Sequence, residues 1–179
     1  MKISKREIGL VVAGVATPAV LFLLIRKLSM DTNSRQYKNL KAFLTMIQYA
    51  EGTYGQDGYR KLYGGSLFND LSKHPNTPTT KWGITSTAAG AYQILSKTWN
   101  ELQAKLGLPD FSPLSQDKAA IELIRRRKAL EDVMAGRWAQ AIEKCKKEWA
   151  SLPGAGYGQN EKNIKNLLAV YKVAGGTIS

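Results

Sequence analysis

Acid–base chemistry is most readable in this chain at Glu51, within Met46-Ile47-Gln48-Tyr49-Ala50-Glu51-Gly52-Thr53. Tyr37, Leu40, Leu44 and Ile47 recur at spacings of three and four, so they share one face of a helix, and Glu51 is the next position on that face. The carboxyl is thereby aimed at the buried side. Apolar surroundings disfavour its ionised form, and the negative end of the helix dipole acts in the same direction. A glutamate kept protonated near neutral pH can serve as a general acid. Most helix-terminal glutamates turn outward into solvent instead, so the neighbouring loops must decide.

Two later loops have the composition of a sugar cleft. Ala88-Ala89-Gly90-Ala91-Tyr92-Gln93 and Gly154-Ala155-Gly156-Tyr157-Gly158-Gln159 each close with a tyrosine and a glutamine. Aromatic faces stack on pyranose rings, amides hold hydroxyl groups, and glycine lets the backbone approach a ligand. Tyr92, Gln93, Tyr157 and Gln159 are the candidate sugar contacts, with Tyr59 and Tyr63 lining the cleft. Packing is the competing role for each tyrosine.

These residues require elements to position them. Asn33 or Ser34 is placed to cap the Glu51 helix. Beyond Gly52, tyrosines and glycines alternate through to Leu67-Phe68, predicting a small β-hairpin with Gly64-Gly65 as its turn. Pro75 and Pro78 mark an irregular connection. Ser86 or Thr87 would cap a helix burying Ile94, Leu95, Trp99 and Leu102 and ending near Gly107. Ser112-Pro113 starts the next, which buries Ala119, Leu123 and Ile124 and leaves through the charged run Arg125-Arg126-Arg127-Lys128, read as a solvated face. A further helix carries the stripe Trp138, Ile142, Cys145, Trp149 and breaks at Pro153. The last, with Ile164, Leu167, Leu168 and Tyr171, stops at Gly175-Gly176. The fold class is α+β, mostly helical with one small β element.

The chain has 179 residues with 44% hydrophobic and 22% charged content, which fits one globular domain and excludes disorder. Its net charge of +12 suits a polyanionic partner such as cell-wall polymer, nucleic acid or anionic lipid. Cys145 is the single cysteine, so an intramolecular disulfide is excluded and core packing is its expected role. His74 is the single histidine, and a structural role is expected of it. No metal or cofactor is expected. Residues 8–25 are uncharged, between Lys5-Arg6 and Arg26-Lys27. As a helix they would reach about 27 Å, near the roughly 30 Å of a bilayer core, and the run is too poor in a cleavage site for a signal peptide. The expected organisation is a transmembrane anchor in residues 1–30, a linker at 31–36 and a soluble domain over 37–179.

The segments Ala50-Glu51-Gly52-Thr53, Gly64-Gly65-Ser66-Leu67-Phe68 with His74-Pro75, Gly90-Ala91-Tyr92-Gln93, the run from Leu106-Gly107-Leu108-Pro109 into Asp110-Phe111-Ser112-Pro113, and Ala150-Ser151-Leu152-Pro153-Gly154 continuing to Gln159 occur in one order. That order resembles the endolysin family of phage lambda, over about residues 38–177. The resemblance implies a lysozyme-like fold and a lytic transglycosylase of peptidoglycan. It makes Glu51 the catalytic acid, protonating the glycosidic oxygen between N-acetylmuramic acid and N-acetylglucosamine of the glycan strand and leaving a 1,6-anhydro end. The N-terminal anchor is a departure from the family pattern.

Ordinary glycosidases use a second carboxylate about 5 to 9.5 Å from the first. Asp57 and Asp70 are the candidates, and either would make the chain a muramidase; each sits where it could simply cap a turn. A different class of reading, a membrane-anchored basic binding protein, draws on the charge and on Arg125-Arg126-Arg127-Lys128, but no nucleic-acid motif accompanies them. The enzyme is expected as a monomer in the host inner membrane facing the periplasm, acting in lysis, or in a phage membrane within the virion, acting in wall penetration.

Overall fold

Ser34 stands in extended backbone and its hydroxyl accepts the Tyr37 N–H at 3.2 Å, so helix α1, Arg35–Ala50, begins where its cap predicts. The computed structural model describes residues 34–156 and 161–179. The expected anchor at 8–25, most of the linker, and Tyr157 and Gln159 lie outside the described residues. Among the described residues no helix is long and apolar enough to cross a membrane.

After α1 come a 3-10 turn (Gly58–Arg60), strands β1 (Thr79–Lys81) and β2 (Ile84–Ser86), and helices α2 (Ser96–Leu106), α3 (Pro113–Arg126), α4 (Leu130–Ala135), α5 (Trp138–Cys145) and α6 (Ile164–Val173). α1 is the central post, packed against α4 and α6, while α2 lies on α3 and α4 on α5. Its burial is wider than a single stripe: Asn39, Ala42, Phe43 and Met46 are enclosed along with Leu40, Leu44 and Ile47. Around it close Trp99, Phe111, Ile124, Ala141 and Leu167, each fully buried. Cys145 is also fully buried, and burial pushes its thiol up to about 12, which suits packing and not redox chemistry. His74 is structural too. Its Nε2 meets the Ile94 carbonyl at 2.9 Å and its Nδ1 accepts the Asn76 N–H at 3.0 Å, so the ring is bonded as the neutral tautomer.

Four expectations are corrected. The paired strands lie in the stretch read as irregular: β1 and β2 pair antiparallel, Thr79 with Ser86 and Lys81 with Ile84, joined by the two-residue turn Trp82-Gly83 at φ 50 and 77. β-branched residues supply the strands, and Pro75 and Pro78 stand before them. The tyrosine and glycine stretch instead holds the 3-10 turn and single bridges, Lys61 to Leu67 and Leu62 to Ala89; Gly64 and Gly65 do turn it, at φ 82 and 98. α2 starts at Ser96 because residues 88–94 fold back on themselves, Ala89 bridging Ile94. Thr87 still serves its N-terminus, accepting the Ser96 N–H at 3.2 Å. α5 ends at Cys145 rather than near Pro153, and Gly136 at φ 80 separates it from α4.

The fourth correction concerns the basic run. Glu122, with a side chain 1% exposed, is met by Arg125 at 2.6 Å and Lys105 at 2.9 Å. Arg127 pairs with Glu148 at 2.8 Å. Arg125 and Arg127 are thereby committed to intramolecular pairs, the first with a buried partner, so these two are not free surface charge.

Gln116 ties three layers together from a site 1% exposed. Its amide donates to the Tyr59 carbonyl at 3.0 Å and the Phe111 carbonyl at 2.8 Å, and its oxygen accepts the Ala91 N–H at 2.9 Å. Gly90 lies so close that a Cβ there would sit 2.2 Å from that oxygen. Replacing Gln116 with Met keeps the volume and strands three backbone groups, so the unfolding free energy in a denaturant titration is expected to fall by about 2–4 kcal/mol.

Candidate active site

Glu51 is the C-cap of α1 and Gly52 the residue past it, at φ 72. The Thr53 N–H reaches the Gln48 carbonyl at 2.8 Å and the Gly52 N–H the Tyr49 carbonyl at 3.1 Å, a Schellman closure. Such a closure needs a left-handed residue, which glycine supplies without a Cβ penalty. Thr53 is itself buried, and its hydroxyl donates to the Ala91 carbonyl at 2.5 Å. The end of α1 is thus fastened to the Gly90-Ala91-Tyr92-Gln93 loop. Gly58 closes in from the other side, where a Cβ would lie 1.9 Å from the Thr53 carbonyl oxygen.

The Glu51 side chain is half-buried, with its carboxyl set among protein groups. Its Oε1 accepts the Ser151 hydroxyl at 2.6 Å, and Ser151 is held in turn by the Lys162 N–H on its carbonyl at 2.9 Å. Burial raises the Glu51 pKa to about 7, against the lowering effects of the Ser151 hydrogen bond and the Lys162 charge. Desolvation is the winning effect, since a carboxylate taken from water loses more than one hydroxyl and one partly solvated ammonium return. The result is a carboxyl that holds its proton at about neutral pH and has one oxygen oriented by a hydroxyl donor.

One helical turn before Glu51, the Gln48 amide donates to the hydroxyls of Tyr59 at 3.3 Å and Tyr92 at 3.1 Å. Both hydroxyls donate to Asp117 Oδ1, at 2.8 and 2.6 Å, and Lys41 pairs with Oδ2 at 3.2 Å. Burial and the Asp117 charge push Tyr59 up to about 12 and Tyr92 well above its ordinary value. The network braces the underside of the site. It also corrects one expectation: Tyr92 is 1% exposed, so it is packing and not a sugar contact. Tyr59 is half-buried with its hydroxyl committed. Gln93 stands at φ 47 and its amide donates to the carbonyls of Gly90 at 3.0 Å and Lys61 at 3.3 Å, shaping the loop. Tyr63 faces outward and meets Trp82 edge-on at 6.0 Å.

Neither candidate second carboxylate has a hydrogen bond or ion pair joining it to Glu51. Asp57 pairs with Arg60 at 2.7 Å. Asp70 is exposed and accepts the Ser72 N–H at 2.8 Å; the Ser72 side chain first, and then this turn bond, hold its pKa below the usual value. Ser151, Gln48, Asp117 and Gln116 were not legible as site residues. Gln48 shares the face of Glu51 one turn away and could have been found from helical spacing; Asp117 carries no local signal. The second loop is pinned by Glu161, which accepts the N–H groups of Gly154 at 2.7 Å and Gly156 at 2.9 Å.

Comparison with known proteins places this geometry. The family model described as Endolysin matches residues 41–178. The endolysin of Escherichia phage lambda is 46% identical over 145 residues, 77% of this chain and 92% of that protein. The endolysin of Escherichia phage P2 is 44% identical over 156 residues, 78% of this chain and 94% of that one. Among solved structures, phage lambda lysozyme complexed with a chitohexasaccharide superposes with a TM-score of 0.76 at 46% identity, covering 79% of this chain and 97% of that one.

The burial of Glu51 has a thermodynamic signature. A carboxyl with a folded pKa of about 7 against 4.5 favours the native state fully below 4.5, and that contribution is lost as pH rises to 7. The difference is about 3 kcal/mol at most. Glu51→Gln is therefore expected to unfold at a higher temperature than the parent at pH 8 and at the same temperature at pH 4. Equal melting temperatures at pH 8 would contradict the burial.

Proposed function

The chain belongs to the endolysin family, lysozyme-like phage enzymes that cleave host peptidoglycan, and on that footing we propose that it is a lytic transglycosylase with Glu51 as its one catalytic carboxyl. Glu51 gives its proton to the oxygen linking C1 of N-acetylmuramic acid to C4 of N-acetylglucosamine, and the C1–O bond breaks. The muramic acid 6-hydroxyl then closes on C1 and returns its proton to the Glu51 carboxylate. The products are a 1,6-anhydro end and a sugar with a 4-hydroxyl, and no water is consumed. Glu51 ends as it began.

The observation that carries this reading is the solitary, desolvated carboxyl. A pKa of about 7 suits a group that must give and then take a proton near neutral pH. Ser151 acts as a positioning residue, fixing one oxygen so that the other faces the sugar linkage. A hydrolase of the usual kind needs a second carboxylate beside the first, and Asp57, Asp70 and Asp117 are each engaged elsewhere. The bound chitohexasaccharide in the phage lambda relative supports an extended glycan as the ligand, and the net charge of +12 suits an anionic wall. Residues 8–25, which precede the family match, would hold the enzyme at the inner membrane. That placement is tested by alkaline extraction of membranes, where the full chain stays in the pellet and a chain starting at residue 31 is released.

Three outcomes test the chemistry. Glu51→Gln is expected to lower wall clearing at least 1000-fold while chitohexaose binding persists, and a variant that still clears would remove the assignment. Mass spectrometry of digested wall should find fragments one water lighter than hydrolysis gives and inert to borohydride; reducing ends would make the enzyme a muramidase. Ser151→Ala removes a bond that lowers the Glu51 pKa, so the alkaline limb of the pH–rate profile should move upward.

A further inference from the structure

Trp82 is unfavourable to the fold in two ways. It is 82% exposed, leaving an indole in water, and it stands at φ 50 as the first residue of a two-residue turn, where asparagine, aspartate or glycine fits and a bulky ring is strained. A strained backbone held under one large exposed aromatic points to a functional position. The ring is also braced. Tyr63 meets it edge-on, with centroids 6.0 Å apart and planes at 89°. Lys81, just before it, crosses Gly64 so closely that a Cβ on Gly64 would lie 2.4 Å from the Lys81 Cγ, which seats the β1–β2 hairpin on the Tyr63 segment.

Tyr63 also gives the pair a direction. Lys61 bridges Leu67 and Leu62 bridges Ala89, so the chain here is extended and alternate side chains share a face. Leu62 packs on the core, and Tyr63 opens the turn that follows, its N–H donating to the Ala88 carbonyl at 2.9 Å. The Lys61 ammonium reaches the Gly52 carbonyl at 2.9 Å, one residue from Glu51. Lys61 thus touches the residue after the acid, and Tyr63, two residues further on, meets Trp82. Beside the indole, Thr80 and Thr85 share a hydroxyl hydrogen bond of 2.8 Å, a polar fringe suited to sugar hydroxyls rather than to hydrocarbon.

We propose that Trp82, braced by Tyr63, is a stacking subsite for a pyranose ring of the glycan strand. Indole offers a flat apolar face to the C–H side of an N-acetylhexosamine. Binding energy gathered there holds a long strand in register without touching the reacting atoms, so it acts on KM and leaves kcat alone. The subsite rests on the glycan-cleaving reading above and adds to it a preference for long strands.

The test replaces Trp82 with Asn, which gives the turn its favoured Asn-Gly pair and removes the ring. In the full chain, Trp82→Asn should melt no lower than the parent, while KM for glycan strands rises roughly 2- to 10-fold at unchanged kcat, and Trp82→Phe recovers most of the loss. In the Glu51→Gln background, the Trp82 indole N–H resonance should shift on adding chitohexaose. An unchanged KM in Trp82→Asn, or an unmoved indole resonance while chitohexaose binds, would overturn the subsite and leave the cleavage reading intact. A parent enzyme that cleaves no glycan would overturn both.

Discussion

The desolvation of one carboxyl governs this structure. Glu51 closes the central helix half-buried, where protein has displaced part of its water and a hydroxyl, from Ser151, meets it. Burial alone would leave an acid too weak to give its proton readily, and full solvation would leave a carboxylate with nothing to give. The balance between enclosure and one hydrogen bond with a nearby Lys162 charge puts the group at about 7, where either transfer costs little.

Maintaining that balance explains the density of polar bonds beneath the site. The helix end cannot fray without admitting water, and it is tied at Thr53 to the Ala91 carbonyl and crossed by Gly58. Gln48, Tyr59, Tyr92 and Asp117 form a closed cycle in which each tyrosine hydroxyl both donates and accepts. Such networks are rigid when every member is satisfied. The long-range tie is Ser151, a hundred residues from Glu51 in sequence, which makes the folding of the α5 to α6 region a condition for the acid to be oriented at all.

Local chemistry made much of this legible beforehand. Ser34, Ser112-Pro113, Gly107 and Gly175 announce helix ends through caps whose mechanism is confined to a few residues, and the structure uses each of them. Glu51 was legible because helical spacing aims it inward. The β element was misplaced because tyrosine and glycine suggest hairpins wherever they cluster, whereas a tryptophan in the Trp82-Gly83 turn hides a turn signal that asparagine would have advertised. A tyrosine beside glycines, as Tyr92 is, reads as an exposed sugar contact; in the fold it is buried, with its hydroxyl held by Asp117 from another helix. Ser151 and Asp117 act through contacts that only the folded chain creates, and no spacing encodes them. The charged run after α3 illustrates the same limit, since Glu122 beneath it converts apparent surface charge into internal pairing.

The protonation of Glu51 is read most directly from the carbon-13 resonance of its side-chain carboxyl during a pH titration of the folded protein. A midpoint near 7, lifted further when Ser151 is replaced by alanine, is the result expected here. A midpoint near 4.5, the ordinary value for glutamate, would mean that the carboxyl is solvated and cannot act as the acid described.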